Sequence, residues 1–194
     1  MSESGDAAFL ARQAVLQAEA DAILADLDLL ALIRTIGIPT RTGSSALGLM
    51  VARDIDLTTT CPALEVDPIF GLARTLAHHP RVRKLSFRND TGAWNVDPAY
   101  PDGLYLGVDY VLSTGAEWNL DLWFLAEGTT QFDLEDMKIL PARLAPEKRV
   151  AILRIKEALS GRSPRVRSHL VYAAVLDHGI RTAAEFDRFQ AGRP

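Results

Sequence analysis

Residues 41–57 have the sequence RTGSSALGLMVARDIDL, and this stretch decides the fold. The segment before it, 38–42, predicts a short strand. Gly43 permits an unusual turn, and Ser44 is a good helix N-cap, so a short helix is expected over 45–50. Residues 53–60 are rich in β-branched side chains and predict a second strand.

Two acids on that second strand, Asp54 and Asp56, are one residue apart. Alternate residues of a strand share a face, so both carboxylates point the same way, while Ile55 and Leu57 point into the core. Close carboxylates repel each other unless a cation lies between them. The arrangement suits a divalent metal carrying a phosphate, with Ser44 and the helix start contacting that phosphate.

The spacing of these residues resembles the signature of the polymerase-beta-like nucleotidyltransferase superfamily. That signature is a Gly-Ser pair at a helix start followed by two acids one residue apart on a strand; here nine residues, 45–53, separate them. The family has a third acid on a neighbouring strand between apolar residues, and Asp121 in Leu120-Asp121-Leu122 fits it. The resemblance implies that Asp54, Asp56 and Asp121 are both the catalytic and the metal-binding residues.

The resemblance also implies the cofactors and the chemistry. Mg²⁺ or Mn²⁺ would be held by the acids, and a nucleoside triphosphate (NTP) would be the co-substrate. Gly43 would let the backbone approach the phosphates, Ser44 would donate to them, and Asp121 could take the proton of the acceptor hydroxyl.

The rest of the chain predicts an α+β fold, a nucleotidyltransferase-like mixed sheet packed by helices with a C-terminal helical extension. We expect a core over 1–130, including N-terminal helices, and the extension over 131–194. The predicted strands beyond the opening stretch are 82–88, 104–112 and 117–125. The predicted helices are 7–25, 28–35, 68–78, 133–139, 146–159, 164–178 and 182–190.

Charge is distributed unevenly along the chain. Residues 1–137 carry 9 Lys/Arg and 20 Asp/Glu, whereas residues 138–169 carry 9 and 2. The basic segment could bind a triphosphate, or it could be a solvated helix surface that neutralises the acidic half. Candidate nucleotide-binding residues are Lys148, Arg149 and Lys156. Arg41 could also reach a phosphate, although a surface ion pair is the alternative for it.

Two aromatic residues, Trp94 and Tyr100, lie in a long turn-rich connection between predicted strands. They could stack on a base or an acceptor ring, but packing of the connection onto the core is the alternative. Tyr172 has the same two interpretations. Asp109 could be a spare acid near the site, but an edge or solvent-exposed position is the expected alternative for it.

Several classes of function are excluded by missing patterns. The sequence has no Walker motif and no arrangement for a Ser-His-Asp hydrolase, and Cys61 is its only cysteine. No apolar run reaches the about 18–20 residues of a membrane span. The acidic start lacks the basic region of a signal peptide, so a cytoplasmic protein without membrane contact is expected.

The sequence thus predicts an enzyme that moves a nucleoside monophosphate onto an acceptor hydroxyl. A small-molecule acceptor is favoured, because an acidic cleft suits a cationic compound such as an aminoglycoside. RNA or protein acceptors, as in toxin-type members, and a catalytically silent nucleotide- or partner-binding protein are the alternatives. The oligomeric state is left open.

Overall fold

The computed structural model describes residues 3–97, 100–163 and 166–192. Its strands are β1 (Ile38–Thr42), β2 (Asp54–Cys61), β3 (Val82–Asp90), β4 (Gly103–Val111) and β5 (Glu117–Ala126). Its helices are α1 (Glu3–Asp26), α2 (Leu29–Arg34), α3 (Gly43–Leu47), α4 (Val66–Ala77), α5 (Phe132–Arg143), α6 (Pro146–Leu159), α7 (Ser168–His178) and α8 (Ala183–Ala191). A 3₁₀ turn covers Gly92–Trp94. The predicted α+β class, a mixed sheet packed by helices, is confirmed.

The five strands form one mixed sheet in the order β1-β2-β5-β4-β3. Only the central pair, β2 and β5, is parallel; the other three neighbouring pairs are antiparallel. A parallel pair needs a crossover connection, and the chain from 62 to 116 supplies it through α4, β3 and β4. The register of this central pair aligns Asp56 with Asp121 and Asp54 with Asn119.

One face of the sheet is apolar and carries the main core. Ile55 and Leu57 of β2, and Leu120 and Leu122 of β5, are completely buried there, as their alternation with the acids predicts. Helices α1, α2 and α4 cover this face. The opposite face carries the acids, and α1, α2 and α4 do not cover it.

Helix α1 buries a stripe of side chains in its C-terminal half. Leu16, Ala20, Ile23 and Leu24 are buried, whereas Leu10 is 44% exposed. The buried residues recur at helical spacing along the C-terminal half of α1, which packs on the sheet. The N-terminal half extends beyond the sheet, so Leu10 does not pack against the sheet.

Helices α5 to α8 form a second hydrophobic cluster together with Leu47 and Leu49, which follow the Gly43-Ser44 pair. Phe9 of α1 packs against the same cluster. The C-terminal helices are therefore anchored on α1 and on the segment around α3. The predicted boundary near residue 130 stays a prediction.

Several predicted helix ends are different in the structure. The sequence predicts Ser44 as an N-cap, but α3 begins at Gly43 and Ser44 is its second residue, because the positive φ of Gly43 turns the chain into the helix one residue earlier. Helix α5 continues to Arg143, past the predicted end at residue 139, since Pro141 lies near its C-terminal end and removes a single backbone donor. Helix α7 begins at Ser168. The predicted start at 164 lies outside the described residues.

No helix in the described part of the chain combines the length and apolarity that a membrane span requires.

Candidate active site

Three carboxylates come together on the polar face of the sheet, where β2 and β5 run side by side. Asp54, Asp56 and Asp121 each offer a carboxylate oxygen, and these oxygens all lie within 4.8 Å of one another. All three side chains are partly buried. The parallel register produces this arrangement, because it places Asp121 directly beside Asp56.

Hydrogen bonds from neighbouring strands hold two of these carboxylates in place. The Asn119 side-chain amide donates to Oδ1 of Asp54 at 3.1 Å and to Oδ1 of Asp121 at 2.9 Å. The Tyr105 hydroxyl on β4 donates to the same Asp121 oxygen at 2.6 Å. Burial and the Asp121 contact raise the pKa of Tyr105 well above its usual range, so the hydroxyl keeps the proton that it donates.

Gly107 makes the Tyr105 contact possible. It lies opposite Asp121 in the antiparallel register of β4 and β5. A Cβ atom at position 107 would be only 2.5 Å from the Tyr105 hydroxyl oxygen. A side chain there would push the hydroxyl away from Asp121.

Burial and the nearby negative charges raise the pKa of Asp56. Burial, followed by the charges of Asp54 and Asp121, raises the pKa of Asp56 from 3.8 to about 8. Without a cation, the group therefore favours its neutral form at pH 7. Carboxylate oxygens at this spacing are the hard donor set that Mg²⁺ and Mn²⁺ prefer, so the residues fit a divalent metal.

Gly43 and Ser44 lie against the carboxylates, as the sequence predicts. Gly43 has a φ of +63°, and a Cβ atom there would be 2.3 Å from Oδ2 of Asp56. Both requirements, the positive φ and the close approach, are met by glycine alone. Ser44 lines the same cleft as the three acids.

The carboxylates open into a cleft of about 1030 Å³ between the sheet and the C-terminal helices. Asp133 and Asp136 of α5 add negative charge to its wall. The titratable residues that the C-terminal region contributes opposite them are Lys156, Arg162, Arg167, His169 and Tyr172. The cleft is thus acidic where the sheet forms it and mostly basic where α6 and the segment before α7 form it.

Of the predicted basic residues, the structure brings Lys156 into this cleft. Its Nζ atom donates to the backbone carbonyl of Leu49 at 2.7 Å and lies 5.6 Å from the ring centroid of Tyr172. Its charge also acts to lower the pKa of Asp56, against the larger effects of burial and the other acids. Tyr172 itself is buried against the second hydrophobic cluster and faces the cleft.

The other predicted basic residues lie elsewhere. Arg41 pairs with Asp21 of α1 and donates to the Ser45 hydroxyl at 3.1 Å, which ties β1 to α1. Arg149 donates to the backbone carbonyls of Leu47 and Leu144 and thereby braces α3. Neither residue, nor Lys148, is among those that line the cleft.

Sequence reasoning missed two groups of residues in and around the cleft. Arg162, Arg167 and His169 belong to the basic segment 138–169, but nothing in the sequence distinguishes them from its other cations. Asn119 has the same strand parity as Asp121, which is the one signal that could have identified it. Tyr105 could not have been found, because its contact depends on the register between β4 and β5.

The fold of this chain is similar to the folds of solved nucleotidyltransferases, as the sequence predicts. A mutant of the Cid1 poly(U) polymerase bound to MgATP is 19% identical, with a TM-score of 0.53 over 73% of this chain and 41% of that one. A cytoplasmic RNA terminal U-transferase is 17% identical, with a TM-score of 0.50 over 72% of this chain and 39% of that one.

Cid1 in complex with its short product ApU gives a TM-score of 0.51 at 16% identity, over 73% of this chain and 40% of that one. The matches therefore span about two fifths of the length of these structures. No family model matches the sequence, and no curated protein matches it either.

Proposed function

We propose that the protein is a metal-dependent nucleotidyltransferase, which transfers a nucleoside monophosphate from an NTP to an acceptor hydroxyl. The observation that carries the proposal is the set of three carboxylates whose oxygens lie within 4.8 Å of one another on adjacent parallel strands. The raised pKa of Asp56 supports it, because a bound divalent cation would remove the repulsion that the apo site contains.

The residues present assign separate roles within this cleft. Asp54, Asp56 and Asp121 would hold Mg²⁺ or Mn²⁺, which supplies charge neutralisation of the triphosphate and a lowered pKa for the acceptor hydroxyl. Gly43 and Ser44 would border the β- and γ-phosphates, and Lys156 would add a positive charge on the opposite wall. Tyr105 and Asn119 would keep Asp121 oriented throughout.

The proposed reaction is a single displacement. The acceptor hydroxyl oxygen forms a bond to the α-phosphorus, and the bond from this phosphorus to the bridging oxygen of the β-phosphate breaks. Pyrophosphate leaves, and the hydroxyl proton passes to the Asp121 carboxylate.

The proposal extends to the class of acceptor that receives the nucleoside monophosphate. A small molecule remains the favoured acceptor, and the charge of the cleft suits a compound that carries both a hydroxyl group and a polar ring. RNA is the second candidate, since the solved structures of similar fold include a poly(U) polymerase and an RNA terminal U-transferase. A protein acceptor is the third candidate, a catalytically silent nucleotide- or partner-binding protein is the alternative to an enzyme, and a cytoplasmic location stays a prediction.

The proposal is tested by incubating the full chain with each labelled NTP, Mg²⁺ or Mn²⁺, and total RNA, total protein or a small-molecule extract. We expect label in one fraction, with release of pyrophosphate. Asp121→Asn should abolish both signals. The matched control is Asp109→Asn, since Asp109 lies on the same sheet face but pairs with Lys84 at 3.7 Å and does not line the cleft. Equal activity in the two variants, or metal-independent labelling, would refute the proposal.

A further inference from the structure

A second cavity of about 670 Å³ adjoins the catalytic cleft, and we name it the hairpin pocket. Its walls come from the connection between β3 and β4, from the ends of β3 and β5, and from the segment before α7. The residues that line it include Arg88, Trp94, Val96, Tyr100, Trp123 and Arg167. Tyr100, Asp133 and Arg167 line both cavities, so the two are continuous.

The hairpin pocket begins two residues along β5 from Asp121, which is the member of the triad on that strand. Trp123 follows Asp121 by two residues and shares its sheet face, which places their Cα atoms about 7 Å apart. Tyr105 connects the two sites: its hydroxyl donates to Asp121, and its ring centroid lies 5.0 Å from that of Trp123. A molecule seated against Trp123 would therefore lie close to the third carboxylate of the triad.

Three aromatic and two cationic side chains contribute to the walls of this pocket. The Arg88 guanidinium lies 5.3 Å from the Trp123 ring centroid, and Arg167 donates to the Tyr100 hydroxyl at 3.4 Å. Trp94 is 72% exposed and Val96 is 90% exposed, although both border the cavity. Large apolar side chains at the mouth of a pocket are a usual feature of sites that bind planar rings.

We infer that the hairpin pocket binds the base of a nucleoside or nucleotide acceptor, whose ribose hydroxyl then faces Asp121. This inference rests on the proposed function and names the class of acceptor. Nucleobases stack on tryptophan and tyrosine rings and on guanidinium planes, which the pocket supplies together. Its volume accommodates a single nucleoside, and Arg167 lies where the pocket meets the cleft, near a phosphate of such an acceptor.

The lining of the hairpin pocket contains three acids, Asp90, Asp97 and Asp133, and two arginines. Asp90 accepts from Arg88 Nε at 2.7 Å, and Asp133 accepts from the Gln131 amide at 2.6 Å. An aminoglycoside would have to displace these two partners to reach the carboxylates. The preference for a nucleobase over an aminoglycoside therefore rests on the aromatic rings and not on the net charge of the pocket.

Binding of the base can be measured separately from catalysis. The full chain is titrated with adenosine, guanosine, cytidine and uridine 5′-monophosphates by calorimetry, in EDTA so that no metal-bound triphosphate contributes. We expect saturable binding of at least one of them. Trp94→Ala should weaken it about 5- to 100-fold, whereas Trp94→Phe should retain most of the affinity.

A control variant and a second position make the test decisive. Phe70→Ala removes another exposed aromatic side chain, which packs on Phe87 and lines neither cavity, so it should bind as the wild type does. Val96→Glu puts a carboxylate at the mouth of the pocket and should weaken binding without any effect on folding. No saturable binding of any monophosphate, or equal affinities for the Trp94→Ala and Phe70→Ala proteins, would overturn the inference.

Transfer assays separate failure of this inference from failure of the proposed function. With a labelled NTP and Mg²⁺, the bound nucleoside should yield a dinucleotide and pyrophosphate, and Trp94→Ala should raise the KM for the nucleoside far more than the KM for the NTP. Transfer to an aminoglycoside instead would overturn the inference and leave the proposed function intact. Monophosphate binding without transfer to any acceptor would refute the proposed function alone.

Discussion

The carboxylate triad should destabilise the metal-free protein, and Asp56→Asn should relieve this effect. The substituted amide has nearly the shape of the carboxyl group but cannot ionise. None of the hydrogen bonds from Asn119 and Tyr105 is made to Asp56, so the substitution leaves these contacts in place.

The magnitude follows from the pKa of Asp56. The folded protein holds this proton up to a pH of about 8, whereas the unfolded chain releases it near 3.8. At pH 7 the difference corresponds to a cost of about 4 kcal/mol in the free energy of unfolding, as an upper bound. Relaxation of the site reduces the cost, so we expect the variant to be more stable by about 2 to 4 kcal/mol, or about 5 to 15 °C in Tm.

The sign of the pH dependence is fixed by the same reasoning. Because the folded-state pKa is raised, the destabilisation is absent below pH 3.8, grows as the pH rises towards 8, and is constant above that. The difference between variant and wild type should therefore be small at pH 4 and large at pH 8. Taking this difference cancels the titration of groups that both proteins share.

Urea and thermal unfolding of the apo proteins in EDTA at pH 4, 6 and 8 measure the effect. Asp109→Asn is the matched control and should change stability by less than about 0.5 kcal/mol, because Asp109 pairs with Lys84, an exposed lysine, at 3.7 Å. Mg²⁺ should raise the Tm of the wild type and have little effect on Asp56→Asn. A variant that is less stable than the wild type, or a difference that does not depend on pH, would refute the account of the triad.

Further substitutions test the supporting residues. Gly43→Ala should lower stability by about 1 to 2 kcal/mol and abolish transfer, because the left-handed φ and the close approach to Asp56 both exclude a Cβ; wild-type kinetics would contradict this. Tyr105→Phe removes a donor to Asp121 and should lower kcat about 10-fold with little change in the KM for NTP; an unchanged kcat would show that Asn119 suffices. Arg149→Met should lower Tm, since Arg149 braces α3, and should leave the NTP affinity of the folded protein nearly unchanged; the opposite result in titrations would restore its predicted role in binding nucleotide.

The local features of the site were predictable from the sequence. Period-2 alternation alone places Asp54 and Asp56 on one face of a strand and Ile55 and Leu57 on the other, and this alternation is a property of any extended chain. The Gly43-Ser44 pair and its distance from the acids added the expectation of a phosphate-binding turn. Asp121 entered through the resemblance, and its strand was predicted to within one residue.

Long-range contacts decided what the sequence could not. Arg41, Arg149 and Lys156 are all basic residues that the sequence offers as nucleotide-binding candidates. The packing of α1 on β1 and of α6 on α3 places Arg41 and Arg149 in structural contacts instead. Tyr105 reaches Asp121 only because the register of β4 and β5 places Gly107 opposite it.

By itself, therefore, the sequence determined on which face of each strand Asp54, Asp56 and Asp121 lie, because the period of an extended backbone fixes this locally. The tertiary structure alone decided that β2 and β5 are parallel neighbours in register, that Lys156 faces the acids, and that an aromatic pocket adjoins them. These features depend on pairings between residues far apart in the chain, and many sequence positions of similar composition could have filled the same roles.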